Sequence, residues 1–268
     1  MGKRILSVGV NKHHGGSTGG RYTKKDPEGL IELCAHMHAN EFLISEIDCK
    51  GKFMFWRFNP DWVMWCTYGM SGQWTTQKPD KHTSITMWTD GQDGQGLLAI
   101  NFRDPRHFGT VKFVHDPNGT KTLKKLNSLG PDMLSDPPNE AKFRQALLRK
   151  HEKTLAEVLM DQSVVSGVGN YVKAESLYAA KLSPHRLVRD IATHEFESLR
   201  TAIIDVMQSS YKSGGATIST YRNPDGSKGE AQRRFVVYGN KTDLLGNEVI
   251  REETKDGRTT HWCPKVQR

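Results

Sequence analysis

A glycine-rich turn between two apolar stretches is the segment of this chain whose spacing best fits the binding of an anion. It reads Gly167-Val168-Gly169-Asn170, and residues at helical spacing lie on both sides of it. Glycines let the backbone come close to a partner, and the free amides at the start of a helix can hold a phosphate. Asn170 is a suitable cap for the following helix and offers a side-chain contact. Taken alone, the turn serves equally well as an ordinary joint between two packed helices, so both interpretations stay open.

Two cations stand at positions where a phosphate would also be bound naturally. Arg258 follows a tight Asp256-Gly257 turn, and the tip of a hairpin presents a guanidinium outward for bidentate binding. Lys52 lies between Gly51 and a run of apolar residues, so its ammonium group should lie against a pocket or a phosphate. A surface arginine without a partner and a solvated lysine at a strand end are the simpler interpretations. For Lys52, residue type alone favours the simpler one.

The N-terminal part of the chain, which must position Lys52, is organised mainly as strands. Segments rich in β-branched and aromatic residues alternate with clusters of Gly, Asn, Asp and Pro. The predicted strand segments are Ile5–Val10, Glu41–Phe58, Trp62–Thr67, Thr83–Trp88 and Leu97–Phe102. The run from Lys52 to Phe58 is apolar on both alternating faces, which predicts a strand buried on both sides. We therefore predict a β-sandwich over residues 1–128, with Lys52 at the start of one of its strands.

After this domain, the spacing of the apolar residues changes from that of strands to that of helices. Clusters of Pro, Gly and Asp predict a linker over residues 129–139, and Asn139 is a suitable N-cap for the helix that follows. Apolar residues at helical spacing assign a helical domain to residues 140–212. The remaining residues, 213–268, are predicted to form a loop and then strands at Arg233–Tyr238, Glu248–Glu253 and Arg258–Trp262. The fold class predicted is thus α+β with more than one domain.

Charge and composition limit the possible functions. Lys plus Arg is 38 and Asp plus Glu is 30, which gives a formal net charge of +8 and suggests a polyanionic partner such as nucleic acid. Apolar residues make up 36%, enough for a folded soluble protein rather than a disordered one. No stretch reaches the ~18 consecutive apolar residues of a membrane span. The opening residues contain no pattern of a signal peptide. The four cysteines form no CxxC pair, so we expect a reducing compartment, either cytoplasm or nucleus.

Six short motifs occur in an order that resembles the formamidopyrimidine-DNA glycosylase and endonuclease VIII (Fpg/Nei) family. They are Gly51-Lys52-Phe53, Tyr68-Gly69-Met70-Ser71-Gly72, Asp104-Pro105-Arg106-His107-Phe108-Gly109, Leu129-Gly130-Pro131-Asp132, the turn at Asn170 between two helices, and a closing hairpin with Val237-Tyr238-Gly239 and Gly257-Arg258-Thr259-Thr260-His261-Trp262-Cys263-Pro264. Their order, from about residue 41 to the C-terminus, is far more specific than any one of them. The resemblance implies an N-terminal β-sandwich and a C-terminal helix–two-turn–helix domain, with DNA in the cleft between them.

The resemblance also implies that the chain turns a damaged base out of duplex DNA. The gap left by an extruded base must be filled, because unstacking costs about a few kcal/mol. By the resemblance the filling residues are Met70, Arg106 and Phe108, and Arg106 can also pair with the estranged base. Met70 and Phe108 lie in loops flanked by glycine rather than in periodic apolar strands. This placement favours insertion into DNA over a place in the core.

Other residues receive roles from the same resemblance. Lys52 matches a lysine of the catalytic site that contacts DNA and takes part in lyase chemistry. Asn170 and Arg258 match residues that bracket the phosphates at the lesion, and Tyr238 is expected to contact DNA as part of the closing motif. The implied activity is that of a bifunctional DNA glycosylase and AP lyase of base-excision repair. The loop from Ser213 to Gln232 would cap the flipped base.

The segment after the Gly-rich turn indicates a branch of the family. Asn170-Tyr171-Val172-Lys173-Ala174-Glu175 looks closer to endonuclease VIII-like members than to bacterial formamidopyrimidine glycosylases. This favours oxidised pyrimidines and hydantoins as substrates.

The C-terminal hairpin departs from the usual pattern of the family. Most members hold zinc with two pairs of cysteines, whereas residues 240–246 contain no cysteine and Cys263 stands alone, with Val266 in its partner's place. One thiolate cannot form a tetrahedral structural site. We therefore predict a zincless finger held by hairpin pairing and by apolar side chains, namely Leu244, Leu245, Val249, Ile250 and Trp262.

The start of the chain departs from the pattern as well. Family members begin, after removal of methionine, with proline–glutamate–glycine–proline–glutamate and a helix. The amine of that proline attacks the deoxyribose and expels the base, and elimination then cuts the strand. Here the opening Met1-Gly2-Lys3-Arg4-Ile5 resembles the residues after that helix. A start assigned too far downstream, a fragment and a degenerate paralogue would each explain this, and the retained site residues favour the first two. We expect the chain itself to have little or no base-excision activity.

The same residues are compatible with functions of other classes. A module that binds damaged DNA without cutting it fits the chain as it stands. An RNA-binding protein is a third possibility, since a similar helix–two-turn–helix occurs in a ribosomal protein, but RNA binding does not need the three inserted residues. The histidine pairs His13-His14 and His36 with His38 lack a carboxylate at metal-binding spacing. We expect no metal, no cofactor and no membrane contact, and a monomer that binds duplex DNA containing oxidised bases or abasic sites.

Overall fold

The computed structural model describes residues 2–12, 21–38, 41–91, 96–216 and 229–268. They divide into two compact units, of which the first lies within Met1–Lys125 and the second within Leu126–Thr217 and Gly229–Arg268. Each unit has its own hydrophobic core. His13-His14 and most of the expected base-capping loop, residues 217–228, lie outside the described residues. None of the described helices is both long and apolar enough to cross a bilayer.

The first unit is built on one antiparallel sheet of eight strands. They are β1 (Arg4–Val10), β2 (Phe42–Lys50), β3 (Phe53–Asn59), β4 (Trp62–Thr67), β5 (Gln73–Thr75), β6 (Thr83–Asp90), β7 (Leu97–Arg103) and β8 (Thr110–His115). Their hydrogen-bonded order is β5-β7-β6-β1-β2-β3-β4-β8. Three short helices accompany the strands, namely α1 (Arg21–Lys24), α2 (Leu30–Met37) and α3 (Thr120–Asn127).

The sheet bends until its two halves face each other across one core. Trp56 on β3 and Trp74 on β5 are five steps apart in the strand order, about 24 Å in a flat sheet. Their ring centroids nevertheless lie 5.2 Å apart. The strand pairing shifts register in β1, β2 and β6, and bulges of this kind bend a strand. The resulting sandwich-like unit confirms the fold class expected for the N-terminal domain.

The predicted segment Glu41–Phe58 is two strands rather than one. β2 and β3 are joined by the two-residue turn Gly51-Lys52, with Lys50 paired to Phe53. Gly51 has φ 58°, the left-handed value that a type II′ hairpin needs at its first central residue. Lys52 therefore lies in the turn and not, as expected, at the start of the strand.

In its described residues, the second unit contains four α-helices and a β-hairpin. They are α4 (Glu140–Leu148), α5 (Leu155–Met160), α6 (Asn170–Ala179), α7 (Thr193–Lys212), β9 (Ile250–Thr254) and β10 (Arg258–Trp262). The predicted N-cap of α4 is confirmed, because the Asn139 side chain accepts a hydrogen bond from the Lys142 amide. The predicted cap of α6 is wrong by one residue. Gly169 is the cap and Asn170 is the first helical residue, and the Asn170 amide group donates instead to the Thr259 carbonyl.

The predicted strand Arg233–Tyr238 is also wrong. Ala231–Arg234 form a 3₁₀ turn, and the chain then runs on without strand partners. The backbone amides of Val236, Val237 and Tyr238 donate to the carboxylate of Glu175 on α6. These donors are therefore satisfied by a side chain and do not form a β ladder.

The loop before β9 is organised by a carboxylate and not by the leucines expected to pack there. Leu244 and Leu245 are 82% and 80% exposed. Asp243 Oδ2 accepts hydrogen bonds from the Tyr178 hydroxyl at 3.1 Å, the Asn247 amide at 2.9 Å and the Cys263 thiol at 3.8 Å. Its Oδ1 accepts from the backbone of residues 245 and 247. Of the apolar residues predicted to hold the finger, Val249 is buried, against Ala174 and Val237.

An Asp243→Asn variant is expected to unfold at lower temperature than the wild type at neutral pH, because its amide group donates where the carboxylate accepted. The hydrogen bond from Asn247 is the main cause that lowers the pKa of Asp243 from 3.8 to about 2. Because its pKa is lower in the folded state, the ionised Asp243 stabilises that state at pH values above the pKa of the unfolded chain. This stabilisation is lost as the pH falls towards the pKa of the folded state. Wild-type stability should therefore fall between about pH 4 and pH 2 through this group. Thermal unfolding followed by circular dichroism checks this, and equal acid sensitivity of the variant would contradict it.

Candidate nucleic-acid interface

Three side chains of the first unit project from two adjacent loops. Met70 lies in the loop between β4 and β5, and Arg106 and Phe108 lie in the loop between β7 and β8. Met70 and Phe108 are each 58% exposed, and Arg106 is exposed as well. The Arg106 guanidinium comes within 3.7 Å of the Met70 sulfur. The structure thus brings together the three residues expected to enter DNA and places none of them in the core.

A glycine allows the two loops to approach this closely. Gly69 has φ 59°, and a Cβ atom added to it would lie 2.7 Å from backbone and side-chain atoms of Phe108. No residue with a side chain fits that space without moving the second loop. The separation of Met70 from Phe108 is therefore fixed by the absence of a side chain at position 69.

One buried carboxylate ties the same two loops together. Asp104 is 2% exposed and accepts hydrogen bonds from the Ser71 hydroxyl at 2.8 Å and the Gly109 amide at 2.6 Å. The Arg106 amide points to the same group, at 3.2 Å from the Ser71 oxygen and 3.3 Å from Asp104. Since a carboxylate accepts several strong hydrogen bonds, Asp104 sets the conformation of both loops. We call Met70, Arg106 and Phe108, held by Asp104, the wedge.

Lys52 occupies the tip of the β2–β3 hairpin in the first unit. It is exposed, whereas the next residue, Phe53, is buried. The rigid two-residue turn presents the ammonium group to the surface without a long flexible loop. Its catalytic role stays a prediction.

The second unit brings Asn170 and Arg258 to one place. Asn170 Nδ2 donates to the Thr259 carbonyl at 2.8 Å, which ties the first residue of α6 to the residue that follows Arg258. Arg258 begins β10 after a turn in which Gly257 has φ 70°, and its side chain is exposed. The Oδ1 atom of Asn170 is shielded from solvent and makes no hydrogen bond to any described residue. A helix start, a side-chain amide group and a guanidinium are groups that can bind an anion, and we call this arrangement the phosphate clamp.

Tyr238 lies half-buried beside the same unit's hairpin. Its ring centroid is 4.9 Å from that of His261 and 5.7 Å from that of Phe235. Its amide donates to Glu175 at 2.7 Å, and burial raises the pKa of Glu175 although three backbone amides oppose that shift. The backbone that carries the Tyr238 ring is therefore held by a buried carboxylate.

Four residues that shape these surfaces have no role in the sequence-based prediction. Asp104 lies inside a quoted motif, and its spacing from Arg106 and Phe108 was a usable signal. Glu175 also lies in a quoted segment, but only the structure shows that its partners are more than sixty residues away. Lys173 and Asp256 meet across a similar separation, and the sequence contains no pattern that pairs them.

Both units match domains of one family. Residues 4–111 match the N-terminal domain of formamidopyrimidine-DNA glycosylase, and residues 129–222 match its H2TH domain. The chain belongs to the formamidopyrimidine-DNA glycosylase family. The branch within the family stays a prediction.

Individual relatives of the family agree with this assignment. A formamidopyrimidine-DNA glycosylase of Prochlorococcus marinus (strain MIT 9515) is 34% identical over 74% of this chain and 68% of its own length. One of Wolbachia pipientis subsp. Culex pipiens is 31% identical over 84% of this chain and 82% of its own. The crystal structure of a Lactococcus lactis Fpg variant bound to DNA containing Fapy-dG is 25% identical, with a TM-score of 0.81 over 100% of this chain and 93% of that one. The chain spans only 64–68% of the length of the Prochlorococcus relatives it matches.

The residues around Cys263 do not fit the zinc that the family usually holds in its finger. Among the described residues, no three His, Cys, Asp or Glu side chains are grouped to hold a metal ion. Cys263 is fully buried and its thiol faces Asp243. The zincless finger stays a prediction.

Proposed function

We propose that this chain binds damaged duplex DNA, extrudes the damaged nucleotide and fills the gap with the wedge. The observation that carries this proposal is the exposure of Met70, Arg106 and Phe108 on two loops that Asp104 holds together. Large flexible and aromatic side chains are rarely left exposed in one cluster unless they meet a partner. An aliphatic sulfur chain, a guanidinium and a ring are the groups that occupy an opened base stack.

The phosphate clamp and the basic charge would hold the backbone of the same DNA. Arg258 and the backbone amides at the start of α6 would donate hydrogen bonds to phosphate oxygens, and the Asn170 side chain can add the second N–H of its amide group. Each cation that contacts a phosphate releases counterions, so affinity falls steeply with salt.

In its fuller form the proposed activity is that of a DNA glycosylase with AP lyase activity in base-excision repair. Relatives named formamidopyrimidine-DNA glycosylase support the excision of an oxidised base. For the lyase step, the neutral amine of Lys52 attacks the C1′ aldehyde of an abasic sugar, and water leaves as the Schiff base forms. Loss of a proton from C2′ then expels the 3′ phosphate by β-elimination, and δ-elimination can follow.

The alternative is a module that binds damaged DNA without excising the base. Trapping with borohydride separates the two, because it reduces a Schiff base to a stable amine that joins protein and DNA. We propose to treat one duplex with an oxidised base and one with an abasic site, using wild type and Lys52→Met. Adducts on both duplexes support the full glycosylase. An adduct on the abasic duplex alone, lost in Lys52→Met, supports a lyase that works through Lys52.

The remaining outcomes of this experiment are equally distinct. Tight binding of both duplexes without any adduct supports the binding module. Equal affinity for damaged and undamaged duplex would overturn the proposed function in either form. Thermal unfolding of Lys52→Met verifies that the variant is folded before its adducts are compared.

Shortening the wedge is expected to weaken recognition of an opened stack. In a Met70→Ala/Phe108→Ala variant, affinity for an abasic duplex should fall by about a hundredfold, since two stacking side chains that contribute ~1–3 kcal/mol each are lost. Fluorescence of 2-aminopurine placed opposite the lesion reports the filling of the gap. Leu97→Ala is the matched control, because Leu97 is an exposed apolar residue of the same unit, 65% exposed, outside both loops. An equal effect of the control would contradict the assignment of the wedge.

We further propose an endonuclease VIII-like substrate range, with oxidised pyrimidines and hydantoins preferred over oxidised purines. The segment Asn170–Glu175 supports this placement. Competition between duplexes that carry one lesion each tests it. We also propose that the protein acts on DNA as a monomer, because a single chain supplies both the wedge and the phosphate clamp. Its proposed compartment is the cytoplasm or the nucleus. Sedimentation of the complex tests the stoichiometry.

A further inference from the structure

The second unit contains an ion pair that is hidden from solvent. Lys173 Nζ lies 2.7 Å from Asp256 Oδ2, and the two side chains are 0% and 4% exposed. Lys173 is on α6, and Asp256 is in the turn between β9 and β10. Burial lowers the pKa of Lys173, which Asp256 opposes and the nearby Arg258 reinforces. A charged pair withdrawn this far from water contributes little net stability, so its retention calls for another explanation.

The pair is connected to the residue that presents the guanidinium. The second oxygen of Asp256, Oδ1, accepts a hydrogen bond from the Thr254 hydroxyl at 2.5 Å. The Thr254 oxygen in turn lies 3.1 Å from the Arg258 carbonyl and 2.6 Å from the Thr260 hydroxyl. Asp256 therefore links Lys173, through the Thr254 hydroxyl, to the backbone carbonyl of Arg258.

Helix α6 contacts the hairpin at two points on one face. Asn170 and Lys173 are three residues apart, a spacing that places both on the same side of a helix. Asn170 holds Thr259 and Lys173 holds Asp256. Arg258 lies in the chain between Asp256 and Thr259, so the backbone on both sides of it is fixed to the start of α6.

The charge of Asp256 gives the lysine a second effect. Asp256 lies two residues from Arg258, where an uncompensated carboxylate would repel a phosphate. Lys173 neutralises that charge from inside the protein, so that it does not offset the charge of the exposed Arg258 guanidinium. Because the pair sums to zero, its removal as a pair changes geometry without changing the net charge.

We propose that Lys173 and Asp256 are positioning residues that orient Arg258 for the phosphate in the clamp. This inference rests on the proposed function, since it assumes that the clamp binds DNA. Without the pair, the hairpin turn still forms but Arg258 no longer points in one direction. The contribution of Arg258 to DNA binding is then lost although the residue itself is present.

A double-mutant cycle tests this coupling. Dissociation constants for a duplex with a reduced abasic site are measured for wild type, Arg258→Ala, Lys173→Met/Asp256→Leu and the triple variant. We expect Arg258→Ala to weaken binding by about tenfold in the wild type and by less than about twofold in the apolar background. The slope of log affinity against log salt should fall by about one in the double variant, although its net charge is unchanged.

The apolar pair keeps the test interpretable because well-packed apolar replacements of a buried ion pair usually preserve the fold. Circular dichroism and thermal unfolding confirm that this variant is folded before its binding is compared. Lys153→Met is the matched control. It removes a lysine from the exposed Lys153–Glu157 pair of the same unit, which is 2.9 Å long, and should leave the tenfold effect of Arg258→Ala unchanged.

The outcomes separate this inference from the function it rests on. If Arg258→Ala costs the same in both backgrounds, the ion pair does not position Arg258 and the inference is wrong, while the proposed function stands. If wild type binds damaged and undamaged duplex alike, the proposed function fails and the inference falls with it. A smaller effect of Arg258→Ala in the apolar background, together with a lowered salt slope, supports both.

Discussion

An Asp104→Ala variant is expected to bind an abasic duplex up to about a hundredfold more weakly than the wild type, because the wedge side chains that it holds in place contribute ~1–3 kcal/mol each when they stack in the opened duplex. Asp104 accepts hydrogen bonds from Ser71 in one wedge loop and from Gly109 in the other. Removal of the carboxylate leaves both donors without a partner in a buried space. The loops then separate, and the wedge must be ordered again on each encounter with DNA. Gel-shift titration of the variant against an abasic and an undamaged duplex measures the loss.

Two further variants locate the cause of that effect. Asp104→Asn keeps one acceptor oxygen and turns the other into a donor, so its affinity should lie between those of wild type and Asp104→Ala. Asp80→Ala is the matched control, because Asp80 accepts a hydrogen bond from Arg103 at 2.7 Å in the same unit and none of the hydrogen bonds described for its side chain comes from a wedge loop. It should lower stability without lowering affinity. If Asp104→Ala binds the abasic duplex no more than about threefold more weakly than the wild type does, one carboxylate does not hold the wedge.

Replacement of Glu175 by alanine is expected to lower the free energy of unfolding by about 3 kcal/mol or more. Its carboxylate accepts hydrogen bonds from the amides of Val236, Val237 and Tyr238 and is 7% exposed. Each amide left unpaired in a buried place costs ~1–3 kcal/mol, and the three are lost together. Tyr238 should also move, since its amide is one of the three.

Urea unfolding of Glu175→Ala and Glu175→Gln checks this expectation. The glutamine variant retains one acceptor oxygen with two lone pairs, so it should lose about one hydrogen bond, ~1 kcal/mol. The order of stability should be wild type, glutamine, alanine. Equal stability of glutamine and alanine would show that steric bulk and not hydrogen bonding supports the segment.

The sequence was most informative where one short segment contains both the cause and its effect. The Asp256-Gly257 turn predicted the exposed start of β10 at Arg258, and the glycines around Met70 and Phe108 predicted loops and not core strands. These features depend on backbone conformations that only a few residue types allow. The structure contains all of them.

The sequence was least informative where the partners are far apart in the chain. The segment Arg233–Tyr238 has the composition of a strand, but the carboxylate of Glu175 takes its amides. Leu244 and Leu245 look like core residues, yet Asp243 organises their loop and leaves both in solvent. The bend of the eight-stranded sheet was likewise not predictable, since it depends on register shifts that have no local pattern. In each case a tertiary contact overrides a local preference.

The contact between Gly69 and Phe108, with Asp104 beneath it, has a kinetic consequence. Because the two loops are fixed to each other, their side chains cannot probe the double helix independently. Met70, Arg106 and Phe108 would therefore enter the base stack together or not at all. The search along intact DNA would then be all-or-none, with each trial of a base step decided by how weakly that step is stacked. A weakly stacked base step would admit the whole wedge at once, and a well-stacked base step would exclude it.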